Sequence, residues 1–289
     1  MIKRVTIIYF TGTGSTEKIA CSIKEHFEQS GISVQCDKLH AQVPLTKEPD
    51  GFLIVLFPVH ACRAPKPVED HIASFSSVKN GHGAVLSVSG GGEISPNTAS
   101  RNKVKSLLRR KGYAIDYEDM FIMPSNWAYP TPPQVSKWLL NTYEKKCGQT
   151  VNRILAGENR QLKTRWIDHL LAGFGRLEHV GASRFAARFR VASSCNLCGW
   201  CEANCPVGNI SMAFEKLQFG NHCIMCMNCL YGCPRKAIKP SSMKWCVLKE
   251  GYSLDYPLES FDEKAYREVE PLLKGYLLSG VKTYLKQLI

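Results

Sequence analysis

Val5-Thr6-Ile7-Ile8-Tyr9-Phe10-Thr11-Gly12-Thr13-Gly14-Ser15-Thr16 reads as a strand, a tight loop and the first turn of a helix. Its first half is apolar at nearly every position, the pattern of a strand buried on both faces of a parallel sheet. In the second half glycines alternate with hydroxyls, so the backbone can approach a ligand closely while hydroxyls and free amides point at one spot. That spot suits a phosphate. No Gly-Lys-Ser/Thr closes the loop and no Gly-x-Gly-x-x-Gly spacing occurs in it, which excludes a Walker loop and a dinucleotide fingerprint. A hydroxyl-rich loop without lysine fits a terminal phosphomonoester held by hydrogen bonds, and the alternative is a glycine turn with no ligand.

Outward from this loop, short apolar runs alternate with helical periodicity as far as about Cys147. Val5–Phe10, Ser33–Cys36, Phe52–Phe57, Ala84–Ser89 and Tyr113–Ile122 are the strand candidates, and the third is apolar throughout. Ile19, Ile23 and Phe27 form one helical stripe, and Val68, Ile72 and Phe75 another. Ser95 and Pro96 predict the start of a further helix that ends at Arg109-Arg110-Lys111-Gly112. Thr131 and Pro132 open a last one, with Val135, Trp138, Leu139 and Thr142 on one face. Strict alternation of this kind predicts a doubly wound α/β domain over residues 1–150, a parallel five-stranded sheet whose ligands sit at the C-terminal ends of the strands.

The chain has 289 residues and a formal charge of +12, and no run approaches the roughly 18 apolar residues of a membrane span. It opens straight into a strand-like stretch, which predicts a cytoplasmic protein with no transmembrane segment. Thirteen cysteines without a secretory leader point to metal or redox chemistry and against a disulfide scaffold. The basic excess is densest at 151–194, with 8 basic and 3 acidic residues, where Arg153, Arg160, Lys163, Arg165, Arg176, Arg184, Arg188 and Arg190 interleave with Leu, Trp and Phe. We read 151–187 as a basic, helical linker, either a covering helix with a solvated face or a docking surface. Residues 241–289 read as a helical extension around Leu272, Leu273, Tyr276, Leu277 and Val281.

Between these lies an internal repeat. Cys195, Cys198, Cys201 and Cys205 recur 28 residues later as Cys223, Cys226, Cys229 and Cys233, and Pro206 and Ile210 match Pro234 and Ile238. Cys-x2-Cys-x2-Cys-x3-Cys-Pro is the spacing at which three thiolates of one turn hold three irons of a cubane while the fourth reaches the other cluster. A zinc site would want two separated Cys-x2-Cys pairs closing one tetrahedron. Two oxidised clusters would each carry about −2, lowering the charge from +12 to about +8 and weakening any attraction for nucleic acid. No helix-turn-helix signal is present, so nucleic acid is not expected as a partner.

At these residues, over about 188–240, the sequence resembles a bacterial two-cluster ferredoxin, a small α+β domain. The resemblance implies two [4Fe-4S] clusters with crossed ligation: Cys195, Cys198, Cys201 and Cys233 on one, and Cys223, Cys226, Cys229 and Cys205 on the other. Over about 1–147 the chain resembles flavodoxin, specifically in Thr11, Gly12, Thr13, Gly14, Ser15 and Thr16, which implies an FMN phosphate in that loop. By the same resemblance Pro58, Val59, His60, Ala61 and Cys62, and Ser89, Gly90, Gly91, Gly92 and Glu93, flank the flavin ring. Neither loop contains Trp or Tyr, which leaves ring stacking to His60 or to Trp127, for which a core or rim role is the alternative. Joined in this order, the halves resemble the flavodoxin–ferredoxin fusion proteins of anaerobic bacteria and archaea.

The sequence departs from flavodoxin in two ways. The loop after the third strand lacks the glycine that often lets a carbonyl meet the flavin N5–H, and Arg63 and Lys66 put positive charge where flavodoxins set acidic groups. That charge would favour an anionic reduced flavin. The expected function is electron transfer between the two clusters and FMN, linking a low-potential donor to a redox partner. An acidic ferredoxin or oxidoreductase would suit the basic segment. The alternative is an FMN-dependent reductase of a quinone, nitro compound or enone, fed by the clusters. Both readings leave open a homodimer in which one subunit's clusters lie over the other's flavin. No catalytic acid or base is assigned.

Overall fold

Strands β1 (Arg4–Tyr9), β2 (Ser33–Lys38), β3 (Phe52–Pro58), β4 (Gly81–Ser89) and β5 (Tyr113–Ile122) form one parallel sheet in the order β2-β1-β3-β4-β5. This is the flavodoxin-like doubly wound order, whose switch point lies between β1 and β3. The computed structural model describes residues 2–42, 48–169, 181–257 and 262–289.

The two-residue period of the strands divides their side chains between two cores. Val5, Ile7, Tyr9, Ile54 and Leu56 face one side, where α1 (Ser15–Gln29) contributes Ile19, Ile23 and Phe27 and α4 (Pro133–Leu155) contributes Leu140, Val151 and Ile154. Ile8, Phe10, Leu53, Val55 and Phe57 face the other, against Val68 and Ile72 of α2 (Lys66–Ser74) and Val104 and Leu108 of α3 (Asn102–Arg110). Each such side chain, withdrawn from water, contributes about 1.5–3 kcal/mol. The continuous apolar run read in β3 is thus two alternating sets, one per core.

Carboxylates tie the helices to β5. Glu118, 1% exposed, accepts from Arg101 Nε at 3.2 Å and Lys105 Nζ at 2.8 Å, joining α3 to the strand. Asp119 pairs with Lys146 of α4 at 2.7 Å and with Arg160 at 3.5 Å. Charges this buried persist only because they are paired and hydrogen-bonded.

Two expectations need correction. The third crossover helix begins at Asn102, not at Ser95-Pro96: the Ser95 hydroxyl turns to Asp168, and a short 3-10 turn at Asn97–Ala99 precedes α3. The basic segment is not helical throughout: among its described residues, those from Ala156 to Arg165 are not helical. α4 runs on to Leu155, Gly157 turns left-handed at φ 71°, and Arg160 bridges to Tyr117 beside β5, so its charge serves Asp119 rather than solvent. Arg176 lies outside the described residues; Arg184, Arg188 and Arg190 are exposed.

The cysteine repeat carries two antiparallel strand pairs, β6 (Arg190–Val191) with β9 (Ile238–Lys239), which closes its two ends together, and the hairpin β7 (Ile210–Ala213) with β8 (Lys216–Phe219). Two one-turn helices, α5 (Trp200–Ala203) and α6 (Asn228–Tyr231), complete it. The 28-residue register reappears in the backbone: Leu197 and Met225, Gly199 and Met227, and Gly208 and Lys236 all adopt positive φ. Methionine and lysine stand where the first copy has glycine, so the cysteine spacing enforces the turns over local preference.

In the C-terminal segment, Asp262 caps α7 (Glu263–Val269) by accepting from the Ala265 N–H at 2.9 Å, and α8 (Tyr276–Lys286) follows. Val269, Leu273, Val281 and Leu285 bury against Ile122, Val135 and Trp138, whereas Leu272, Tyr276 and Leu277 are exposed. No helix among the described residues is long and apolar enough to cross a membrane.

Candidate functional site

At the C-terminal ends of the strands lies a cleft of about 400 Å³. Thr11, Gly12, Thr13, Ser15 and Thr16 line it, as do Pro58, Val59, His60, Ala61, Cys62, Ser89, Gly90, Gly91 and Trp127. Gly14, Gly92 and Glu93 do not. Gly14 supplies the left-handed N-cap of α1 and faces Leu254, and Gly92 turns beneath Ile122. Glu93 points inward to Arg101 at 2.5 Å, and burial raises its pKa against the pull of that guanidinium.

The phosphate-type loop is held by its own hydroxyls and by neighbours distant in sequence. Gly14 N–H donates to Thr11 Oγ1 at 3.1 Å, and Asn126 Nδ2 donates to Thr13 Oγ1 at 2.8 Å. Neither bond uses the proton of the threonine it reaches, so those hydroxyls can still donate to an anion beside the first amides of α1.

The loop after β3 is a tight turn closed by reciprocal bonds, His60 N–H to Arg63 O at 2.9 Å and Arg63 N–H to His60 O at 2.8 Å. Ala61 and Cys62 both adopt positive φ, 44° and 62°. Two non-glycine residues in that region cost roughly 1–2 kcal/mol each, strain of the kind that collects at ligand sites. No residue in the loop announced it.

The expected positive charge near the flavin ring is compensated. Arg63 bonds both carboxylate oxygens of Glu69, at 3.0 and 3.1 Å, and Lys66 pairs with Asp70. Both acids sit on α2, Asp70 one turn on from Lys66 and Glu69 reached by Arg63 from the loop before the helix, and neither cation lines the cleft. The anticipated bias toward an anionic reduced flavin therefore loses its source.

Further walls come from residues the sequence reading did not assign. Asn126 stands beside Trp127, whose ring also meets Trp245 edge-on at 5.3 Å. Leu277 and Leu278 of α8 line the cleft from the C-terminal segment. α8 lies close because Gly280 meets the Gly91 backbone: a Cβ at Gly280 would fall 2.2 Å from Gly91 O. Nothing in the text around residue 277 distinguishes it from an ordinary packed helix.

The eight repeat cysteines surround two hollows. Cys195, Cys198, Cys201 and Cys233 line one, and Cys205, Cys223, Cys226 and Cys229 line the other. Each hollow thus takes three sulfurs from one repeat and the fourth from its partner. Asn209 N–H donates to Cys205 Sγ at 3.2 Å and Ala237 N–H to Cys233 Sγ at 3.3 Å, again 28 residues apart.

Burial raises the Cys226 pKa to about 12, with added repulsion from Cys223 and Cys205, and Cys229 rises for the same reasons. Such a crowded, desolvated set of thiols fits a polycationic core that would bind all four as thiolates. Among the described residues no three His, Cys, Asp or Glu side chains converge as a single-ion site requires. The remaining cysteines, Cys21, Cys36, Cys62, Cys147 and Cys246, stand outside both hollows.

Cleft and hollows adjoin. A Cβ at Gly12 would lie 2.6 Å from Cys226 O and 2.9 Å from Cys226 Cβ, so the phosphate-type loop rests directly on the second cysteine loop. Tyr231 of α6 donates to Asn126 O at 3.0 Å, and Ala41 N–H donates to Pro206 O at 2.9 Å.

No protein-family model and no curated protein matches the sequence. Among solved structures, flavodoxin 2 from Bacillus cereus is similar at 15% identity and a TM-score of 0.39, covering 53% of this chain and 98% of that one. A flavodoxin from Streptococcus pneumoniae TIGR4 is similar at 13% identity and 0.38, covering 53% and 98%. A putative quinone reductase from Klebsiella pneumoniae follows at 11% and 0.36, covering 53% and 84%. The fold assignment rests on the strand order of the chain itself.

Proposed function

We propose that this chain is an electron-transfer flavo-iron–sulfur protein, binding FMN in the cleft and one [4Fe-4S] cluster in each cysteine hollow. The observation that carries the reading is the contact of Gly12 with Cys226, which joins the loop of the flavin site to a thiol of the nearer hollow with no intervening layer. When bound, the clusters handle single electrons and the flavin handles one or two.

The chain's own part is binding, orientation and exclusion of water. Thr11, Thr13, Thr16 and the first amides of α1 hold the phosphate, while the loops at Pro58–Cys62 and Ser89–Gly91 and the Trp127 ring bound the flavin. Cys195, Cys198, Cys201 and Cys233 hold one cluster, and Cys205, Cys223, Cys226 and Cys229 the other. Leu277 and Leu278 wall the cleft, which supports a carrier over an enzyme that must admit a small oxidant to an open ring face. The exposed Arg184, Arg188 and Arg190, near the Phe185 and Phe189 wall of the second hollow, support an acidic redox protein as partner.

An anaerobic reductive titration, with iron, sulfide and flavin quantified, tests this. About eight irons and one FMN per chain, with electrons equilibrating between clusters and flavin, is the expected result. A chain that holds no flavin when saturated with FMN, or no acid-labile sulfide, overturns it. Thr13→Ala with Thr16→Ala should weaken FMN binding by roughly 100-fold, read by flavin fluorescence, because two hydrogen bonds to a charged phosphate, about 1.5 kcal/mol each at the low end, are lost.

A further inference from the structure

The phosphate-type loop is enclosed by residues that lie far outside the parallel-sheet part of the chain. Tyr252 sends its hydroxyl into the loop, 2.6 Å from Ser15 Oγ, and donates its proton to Pro124 O at 3.1 Å. With that proton committed, Tyr252 accepts from Ser15. The serine side chain is turned toward Tyr252, while the Ser15 backbone N–H, at the start of α1, stays available to the cleft.

Burial raises the Tyr252 pKa to about 12 even though Ser15 and Thr13 hydroxyls lower it in part, so the phenol is neutral at physiological pH and remains a donor to Pro124. Tyr252 does not itself line the cleft; Ser15 does.

The outer side of the same loop is shut. Gly12 abuts Cys226, and a Cβ at Gly14 would meet Leu254 Cδ1 at 3.3 Å. A second tie comes through Asn126, whose side chain donates to Thr13 while its carbonyl is held by Tyr231. Tyr231 also accepts from Leu248 N–H at 2.8 Å, and its ring lies 6.0 Å from that of Tyr252. Among the described residues, Cys226 and Leu254 thus cover the side of the loop away from the cleft.

We infer that Tyr252 is a positioning residue for the phosphate end of the flavin site, acting through Ser15: by holding the serine side chain it fixes the first turn of α1, whose free amides face the cleft. The inference rests on the flavin reading above.

The test compares FMN and riboflavin binding to flavin-depleted, cluster-loaded protein. Tyr252→Phe keeps the ring and removes the hydroxyl; FMN affinity should fall about tenfold, while riboflavin, which lacks the phosphate, changes by less than about twofold. Ser15→Ala should weaken FMN to a similar degree, and the double variant should be no weaker than either single one, since both delete one linked hydrogen bond.

Parallel losses for FMN and riboflavin in Tyr252→Phe would reduce the residue to general packing and overturn the inference. So would unchanged FMN affinity or full additivity with Ser15→Ala. Wild-type protein that binds neither FMN nor riboflavin overturns the flavin reading itself, and this inference with it.

Discussion

Gly12→Ala is expected to weaken FMN binding by about 10- to 100-fold and, in the same protein, to lower the iron and sulfide retained by the second cysteine site. The added methyl group has no space: it would stand 2.6 Å from the carbonyl oxygen and 2.9 Å from the Cβ of Cys226. Its neighbour is backbone of a loop pinned by three cysteines, so relief must come from moving the phosphate-type loop, the cysteine loop or both. Overpacking of this kind costs about 1–3 kcal/mol, which falls on whichever ligand the displaced loop serves. Flavin fluorescence and iron assays on one preparation read both sides. A variant that loses flavin affinity but keeps full iron, with an unchanged cluster spectrum, would show that the two loops bind independently.

The second large effect is expected from Cys205→Ala. By position this cysteine belongs to the first repeat, yet it lines the hollow built from Cys223, Cys226 and Cys229. The variant should retain about four of about eight irons and lose the signal of the second-repeat cluster, with the first-repeat cluster preserved. Because a cluster in either hollow would tie both repeats together, we also expect a lower unfolding temperature for the remaining module. Iron lost only from the Cys195, Cys198 and Cys201 site would refute crossed ligation. Cys233→Ala is the mirror experiment and should empty the first hollow.

Much of the parallel-sheet part was legible in the text. Runs such as Phe52–Phe57 can be buried on both faces only in a sheet covered on both sides, and the observed strand holds Leu53, Val55 and Phe57 in one core and Ile54 and Leu56 in the other. The cysteine repeat was legible for a different reason, since a 28-residue period fixes equivalent backbone turns in both copies. Where the reading failed, long-range partners overrode a local signal. Ser95-Pro96 has the chemistry of a helix start, but its hydroxyl is taken by Asp168. Arg160 looks like part of a solvated basic face until β5 brings Asp119 to it. Arg63 and Lys66 look like charges for the flavin until α2 turns Glu69 and Asp70 back toward them.

By itself the sequence determined the doubly wound class, the loop at Thr11–Thr16 and the two cysteine sets, because these depend on periodicity and on spacing within one short segment. The tertiary structure decided what encloses the cleft. Leu277 and Leu278 reach it, and Tyr252 reaches Ser15 behind it, from more than 200 residues beyond the loop, and Gly12 is set against Cys226. No periodicity records such contacts: they arise when separately legible pieces bury surface against one another, and the fit of those surfaces is a property of three dimensions.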